Sequence, residues 1–218
     1  MRYGFFFGVG GELSALGGVL ELLADCDRII SLGDLVGGSL EGDRACWERF
    51  ASGGDRCLTL AGAGEKRRAR DPSLDPAFRH ELRGLSGATL EGGVAVLGSF
   101  SVQNARFADD GPRLVAPLAV VGHGGPSRLW RSAGGLARVE EIGAGAYVRL
   151  RQDRLRLELG RARQEDGRLR VAVIDDATGH LELRESRAPS MERQAEVLAP
   201  KRRLRRRKVD PRQYLLAV

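Results

Sequence analysis

The sequence predicts an α/β protein: two mixed sheets packed together, with helices outside them. Three observations lead there. The stretch Tyr3–Leu60 alternates short apolar runs with helix-period stripes, the pattern of a parallel βαβαβ half. Each early run breaks at glycine, the mark of a tight turn at a strand's carboxyl end. From Val94 onward the apolar runs shorten and crowd together, as in a mostly β back half.

Tyr3–Phe7 reads as the first strand, and Gly8-Val9-Gly10-Gly11 turns the chain. Leu13, Leu16, Leu20 and Leu23 then form the stripe of a helix over Leu13–Leu23. Arg28–Leu32 is the second strand. Asp43–Phe50 reads as a helix with Asp43 as its N-cap. Cys57–Leu60 is a third strand, ending at Ala61-Gly62-Ala63-Gly64-Glu65. Glu65–Pro76 is a charged loop, and a further helix covers Pro76–Leu85. Strands follow at Val94–Leu97, Ala119–Val121, Ala146–Leu150, Leu155–Leu159, Leu169–Ile174 and Leu181–Arg184. Asp175-Asp176-Ala177-Thr178-Gly179 supplies the turn between the last two.

The 218 residues suffice for one domain with a two-sheet core. Hydrophobic content of 42% and charged content of 29% are those of an ordinary soluble protein. Cys26, Cys46 and Cys57 are odd in number and lack metal-like spacing, so they read as reduced thiols in a cytoplasmic protein, two of them in the core. Met1–Leu23 has a basic start and an apolar body, but Glu12 interrupts it and no small-residue cleavage site follows, so it reads as strand and helix rather than an export signal. No apolar stretch is long enough for a membrane span. The net charge of +6 is concentrated in Lys201, Arg202, Arg203, Arg205, Arg206, Arg207 and Lys208; without those seven charges the rest stands at −1.

The chain is organised around Ile29-Ile30-Ser31-Leu32-Gly33-Asp34-Leu35-Val36-Gly37, a buried strand ending in a turn that holds one carboxylate. In open α/β sheets that edge is where ligands bind. Five segments in order resemble the calcineurin-like metallophosphoesterases, in particular the small bacterial and archaeal phosphodiesterase branch. Phe6-Phe7-Gly8-Val9-Gly10 stands where that family has Asp-x-His, and Leu32-Gly33-Asp34 matches its Gly-Asp. Gly62-Ala63-Gly64-Glu65 stands at its Gly-Asn-His-Asp, Leu97-Gly98 at its His-Gly, and Gly122-His123-Gly124-Gly125 at its Gly-His-x-His. The resemblance spans 1–187 and implies a four-layer α-β-β-α sandwich, leaving 188–218 as a basic C-terminal tail.

The family clamps two divalent metals between Asp, His and Asn ligands to activate water. By that resemblance, ligand positions here are occupied by Gly8, Gly10, Ala63, Gly64, Leu97 and Gly125, and only Asp34 and His123 are kept. A divalent cation needs about four to six ligands, so one carboxylate and one imidazole are a vestige, with no metal expected. Gly64 also has no side chain to act as general acid. Asp34 can equally cap the following turn, and His123 can be a hydrogen-bonded surface histidine; His80 and His180 carry no assignment.

The expectation is therefore a non-catalytic protein with no catalytic residue, a scaffold or regulatory subunit whose cleft and tail bind a protein partner. A second reading is an altered phosphoesterase using Asp34, His123 and Glu65 with weakly held manganese. Gly8, Gly10 and Gly11 suggest an anion-binding turn before a helix, although Leu13 stands where a dinucleotide fingerprint needs its third glycine. The tail suits RNA, DNA or an acidic protein surface, without aromatics for base stacking. Its apolar end, Tyr214-Leu215-Leu216-Ala217-Val218, suits a sheet edge or a partner. Oligomeric state is not legible.

Overall fold

The computed structural model describes residues 1–87, 94–97, 100–104, 118–122, 124–133, 136–150 and 154–187. The front half runs β1 (Arg2–Phe6), α1 (Leu13–Leu22), β2 (Arg28–Ser31), α2 (Leu40–Ala51), β3 (Cys57–Thr59), α3 (Ala63–Arg68) and α4 (Pro76–Gly87). The back half adds β4 (Val94–Leu97), β5 (Phe100–Asn104), β6 (Leu118–Gly122), β7 (Arg128–Ala133), β8 (Leu136–Glu141), β9 (Tyr147–Arg149), β10 (Arg154–Leu159), β11 (Arg168–Asp175) and β12 (His180–Arg187).

Two six-stranded mixed sheets result, ordered β3-β2-β1-β11-β12-β9 and β4-β5-β6-β10-β7-β8. The expected parallel half is present: β1 pairs with β2 and β2 with β3, both parallel. Strand alternation sorts the core. Phe5, Phe7, Ile30 and Leu32 face the second sheet, where they meet Val120, Leu155, Leu157 and Leu159. Phe6 and Ile29 face the other way, onto Leu16 and Val19 of α1 and Cys46 and Phe50 of α2. Full burial of each such Leu, Ile or Phe contributes about 1.5–3 kcal/mol, and these two faces supply most of the drive to fold. Val36, Leu74, Phe78 and Leu82 form a third cluster, joined to α2 through Trp47.

The sequence expectations hold for the first three strands, for α1 and α4, and for the β11–β12 hairpin. In its turn the Asp175 carboxylate accepts from the N–H groups of Ala177 (3.0 Å) and Thr178 (3.3 Å). Cys26 and Cys46 are buried and Cys57 is half-buried, all three free. Three corrections follow. The helix expected from Asp43 begins at Leu40 with Ser39 as N-cap, its hydroxyl accepting from Gly42 N–H at 3.1 Å. The loop expected over Glu65–Pro76 opens with α3, whose N-cap is Gly62. Strands β5, β7 and β8 were not foreseen.

Candidate functional site

The carboxyl ends of β1, β2 and β3 meet at one edge of the first sheet, because Phe6 pairs with Ser31 and Ser31 with Thr59. The end of β6 in the second sheet comes to the same place: a Cβ on Gly122 would lie 3.0 Å from the Leu32 Cβ. This is the convergence the sequence implied.

What fills the edge is backbone. Gly8, Gly10 and Gly11 adopt φ of +66°, +59° and +78°, conformations open to glycine and costly for other residues. Their N–H groups donate to the carbonyls of Gly33 (3.0 Å), Asp34 (2.9 Å) and Leu35 (2.9 Å). The turn after β1 is thus zipped to the turn after β2. The N–H groups of Gly8, Gly10 and Gly11, expected from sequence as an anion-binding turn, are thus engaged by backbone carbonyls.

Asp34 sits at φ +54°, a left-handed conformation that aspartate tolerates better than most residues. Its Oδ1 accepts from Gly64 N–H at 2.8 Å, in the first turn of α3. Asp34 thus holds the start of α3, 30 residues away, rather than its own turn. Its own N–H donates to Glu65 Oε2 at 2.9 Å; that same oxygen accepts from Gly62 N–H at 2.7 Å, and Glu65 Oε1 accepts from Val36 N–H at 3.0 Å. Glu65 is wholly buried. Burial pushes its pKa up and backbone hydrogen bonds pull the other way, with the nearby Asp34 charge adding to the rise. Glu65 thus ties the β2 turn to the β3 turn, and both its oxygens are occupied.

A second buried carboxylate was assigned differently from sequence. Asp43 Oδ1 accepts from the N–H groups of Gly37 (2.7 Å) and Gly38 (2.9 Å), and Oδ2 accepts from Arg68 Nε at 2.6 Å. Arg68 also reaches the Gly38 carbonyl and, at 3.2 Å, Asp71. This pair, with Asp43 buried and Arg68 partly exposed, carries no sequence signature, since its members are 25 residues apart. Arg161 was missed as well. Its Cγ lies 3.4 Å from where a Gly8 Cβ would sit, so its stem covers that glycine beside Asp34.

Among the described residues no three His, Cys, Asp or Glu side chains gather as a cation would need. Ala63 and Gly64 supply α3 with backbone only, and a Cβ on Gly64 would collide with the Val36 carbonyl. A Cβ on Gly62 would fall 2.5 Å from Asp34 Oδ1. Gly125 lies half-buried at the mouth of β7. His123, the Leu97 side chain and Lys201–Lys208 lie outside the described residues.

No protein-family model and no curated protein matches the chain. Solved structures do. The crystal structure of a metallophosphoesterase from Sphaerobacter thermophilus aligns with a TM-score of 0.71 at 20% identity, covering 90% of this chain and 92% of that one. An archaeal phosphodiesterase aligns at 0.48 and 13% identity, over 85% of this chain and 99% of its own. The phosphoesterase YfcE from E. coli aligns at 0.46 and 15% identity, over 81% and 89%. The first of these alignments, with the two mixed sheets and the four α-helices among the described residues, gives one conclusion: the chain has the calcineurin-like phosphoesterase fold.

Proposed function

We propose that this protein is a non-catalytic representative of that fold and acts by binding, as a scaffold or regulatory subunit. One observation carries the reading: where the fold would place metal ligands, this chain has glycines whose amides bond to neighbouring turns. The two carboxylates there, Asp34 and Glu65, are turned onto backbone N–H groups. A carboxylate so engaged is a poor ligand, because taking a metal would strip these N–H groups of their acceptor. The same point weighs against the altered phosphoesterase that would use Asp34, His123 and Glu65 with manganese.

The basic tail is the second element of the proposal. Seven like charges in eight residues neutralise several phosphates or meet an acidic protein surface, with a steep salt dependence. A cytoplasmic protein partner, with RNA or DNA as the alternative, fits this chemistry. No helix among the described residues is long and apolar enough to cross a membrane.

The test combines metal content of the purified protein with turnover of a generic phosphodiester in added manganese, for the natural chain, Asp34→Asn and His123→Ala. Absent metal and absent turnover are expected throughout. Near-stoichiometric metal, with turnover abolished in either variant, would overturn the proposal. Deleting Lys201–Lys208 is expected to remove polyanion affinity together with its salt slope, and survival of both would remove the tail from the mechanism.

A further inference from the structure

Among the described residues the two sheets end in four open strands, β3 and β9 in the first and β4 and β8 in the second. β8 is the longest of them, six residues where β3 and β9 have three and β4 has four. It pairs with β7 at every position, from Arg128 opposite Glu141 to Ala133 opposite Leu136, so no bulge bends it away. Its sequence, Leu136-Ala137-Arg138-Val139-Glu140-Glu141, holds no proline, glycine or lysine. The outer edge of β8 therefore offers a row of backbone donors and acceptors to an added strand.

The side chains narrow the choice of that strand. Glu140 stands opposite the buried Leu129, so Glu140, Arg138 and Arg131 share the core-side face at this corner. Arg138 stands directly opposite Arg131, like charge against like. The carboxylate next to it on that face, Glu140, is held by Arg131 at 3.0 Å. Arg138 is exposed, and among the described residues it has no ion pair of its own. On the other face Val139 is 43% exposed, opposite the half-buried Trp130.

We propose that β8 pairs with β8 of a second copy of this chain, antiparallel about a two-fold axis at Val139. That axis sets Val139 against Val139 of the partner subunit. It also sets Arg138 against Glu140 of the partner subunit, twice over, because a two-fold contact repeats itself. No neighbouring axis does both. One at Arg138 or at Glu140 sets like charges against each other, and one midway to either neighbour sets Val139 against a charge. Core-side charges ordinarily guard an open edge, because an added strand would leave them unpaired. Here the added strand brings the partner that Arg138 lacks. The contact has six residues a side, against about 20–30 in a standard interface, so the dimer is expected to be weak and to form as concentration rises. The pairing holds independently of what the strand-end edge binds.

Sedimentation velocity of the full chain at moderate salt, across a wide range of concentration, is expected to show a monomer giving way to a dimer. Val139→Lys sets two ammonium groups together at the axis, and Arg138→Glu sets carboxylate against carboxylate. Each is expected to weaken the dimer about ten-fold, since each change acts twice across the axis. Neither burdens the single copy, because Val139 is exposed and the Arg138→Glu carboxylate faces Arg131 favourably. Glu140→Arg alone is expected to be impaired in the same way. Mixed with Arg138→Glu it restores unlike charges at both positions, and the mixture is expected to sediment as a dimer where each variant alone is monomeric. A natural chain that stays monomeric, or a dimer indifferent to Val139→Lys and Arg138→Glu, would overturn the proposal. A mixture of the two folded charge variants that stays monomeric would overturn it as well.

Discussion

Replacing Gly64 with alanine tests whether the strand-end edge is closed as tightly as its hydrogen bonds indicate. Gly64 lies in the first turn of α3, so helix propensity alone favours alanine by about 1 kcal/mol. Packing opposes it. The new Cβ would lie 3.0 Å from the Val36 carbonyl carbon, inside the roughly 3.5–4 Å of ordinary carbon contact, and would collide outright with the carbonyl oxygen. Both partners are backbone, so neither yields without moving a turn. Relief requires α3 to shift away from the β2 turn, which stretches Gly64 N–H to Asp34 (2.8 Å) and Val36 N–H to Glu65 (3.0 Å). Overpacking costs about 1–3 kcal/mol and each weakened hydrogen bond about 1 kcal/mol, so the net expectation is a loss of about 2 kcal/mol. Gly84 is the control. It lies within α4 with open space around its Cα, and alanine there is expected to stabilise by about 0.5–1 kcal/mol. Urea unfolding of the three proteins, with slopes compared, reads the difference. Stabilisation by both substitutions would refute the tight closure and reopen the cleft as a ligand site.

Three further outcomes are expected. Glu65→Ala strips the acceptor from the N–H groups of Asp34, Val36 and Gly62, and chemical denaturation should show a loss of about 3 kcal/mol or more; an unchanged midpoint would mean that Glu65 does not tie these turns. Burial pushes the Cys46 thiol up to about 12 and the Cys26 thiol to about 11, so a thiol reagent at pH 8 should modify Cys57 first and the other two on unfolding, as peptide mapping would reveal. The Arg184 hydrogen bond holds the Asp25 carboxyl at about 2, below its ordinary 3.8. A lowered folded pKa gives stability that is present above 3.8 and lost as pH falls toward 2, so Asp25→Asn should flatten acid unfolding in that window; an unchanged slope would refute the assignment.

Much of the architecture was legible because the buried strands of the first sheet are written in apolar letters. Ile29 and Ile30 face opposite helix and sheet layers, and both faces being buried makes the run continuous. Strands β7 and β8 were not legible for the opposite reason. In β7 Leu129 is fully buried while Arg128, Trp130, Arg131 and Ser132 are not; Arg131 reaches Glu140 across the pair and Val139 lies exposed. Charged cross-strand pairs satisfy the pleat without producing an apolar alternation. At the site, the sequence shows which side chains are missing but not what replaces them. Gly8, Gly10 and Gly11 look like free donors in sequence, and their acceptors at Gly33–Leu35 are supplied by a turn on another strand. Asp43 satisfies the local rule for a helix cap. It is drawn instead to the Gly37 and Gly38 amides and to Arg68, and Ser39 takes the cap.

The first sheet places the chain's opening strand at its centre, with β2 on one side and β11 on the other. Arg2 lies opposite Asp175, so one edge of β1 stays open until nearly the whole body has been synthesised. Folding then depends on a contact between distant parts of the sequence, which is slow to form and all-or-none once formed. A chain stopped before Arg168 would leave β1, with its apolar Phe5 and Phe6, open along the edge that β11 otherwise covers, a template for association with other chains. The β11–β12 hairpin is in this sense the latch of the molecule: it closes the sheet that every turn of the candidate site hangs from.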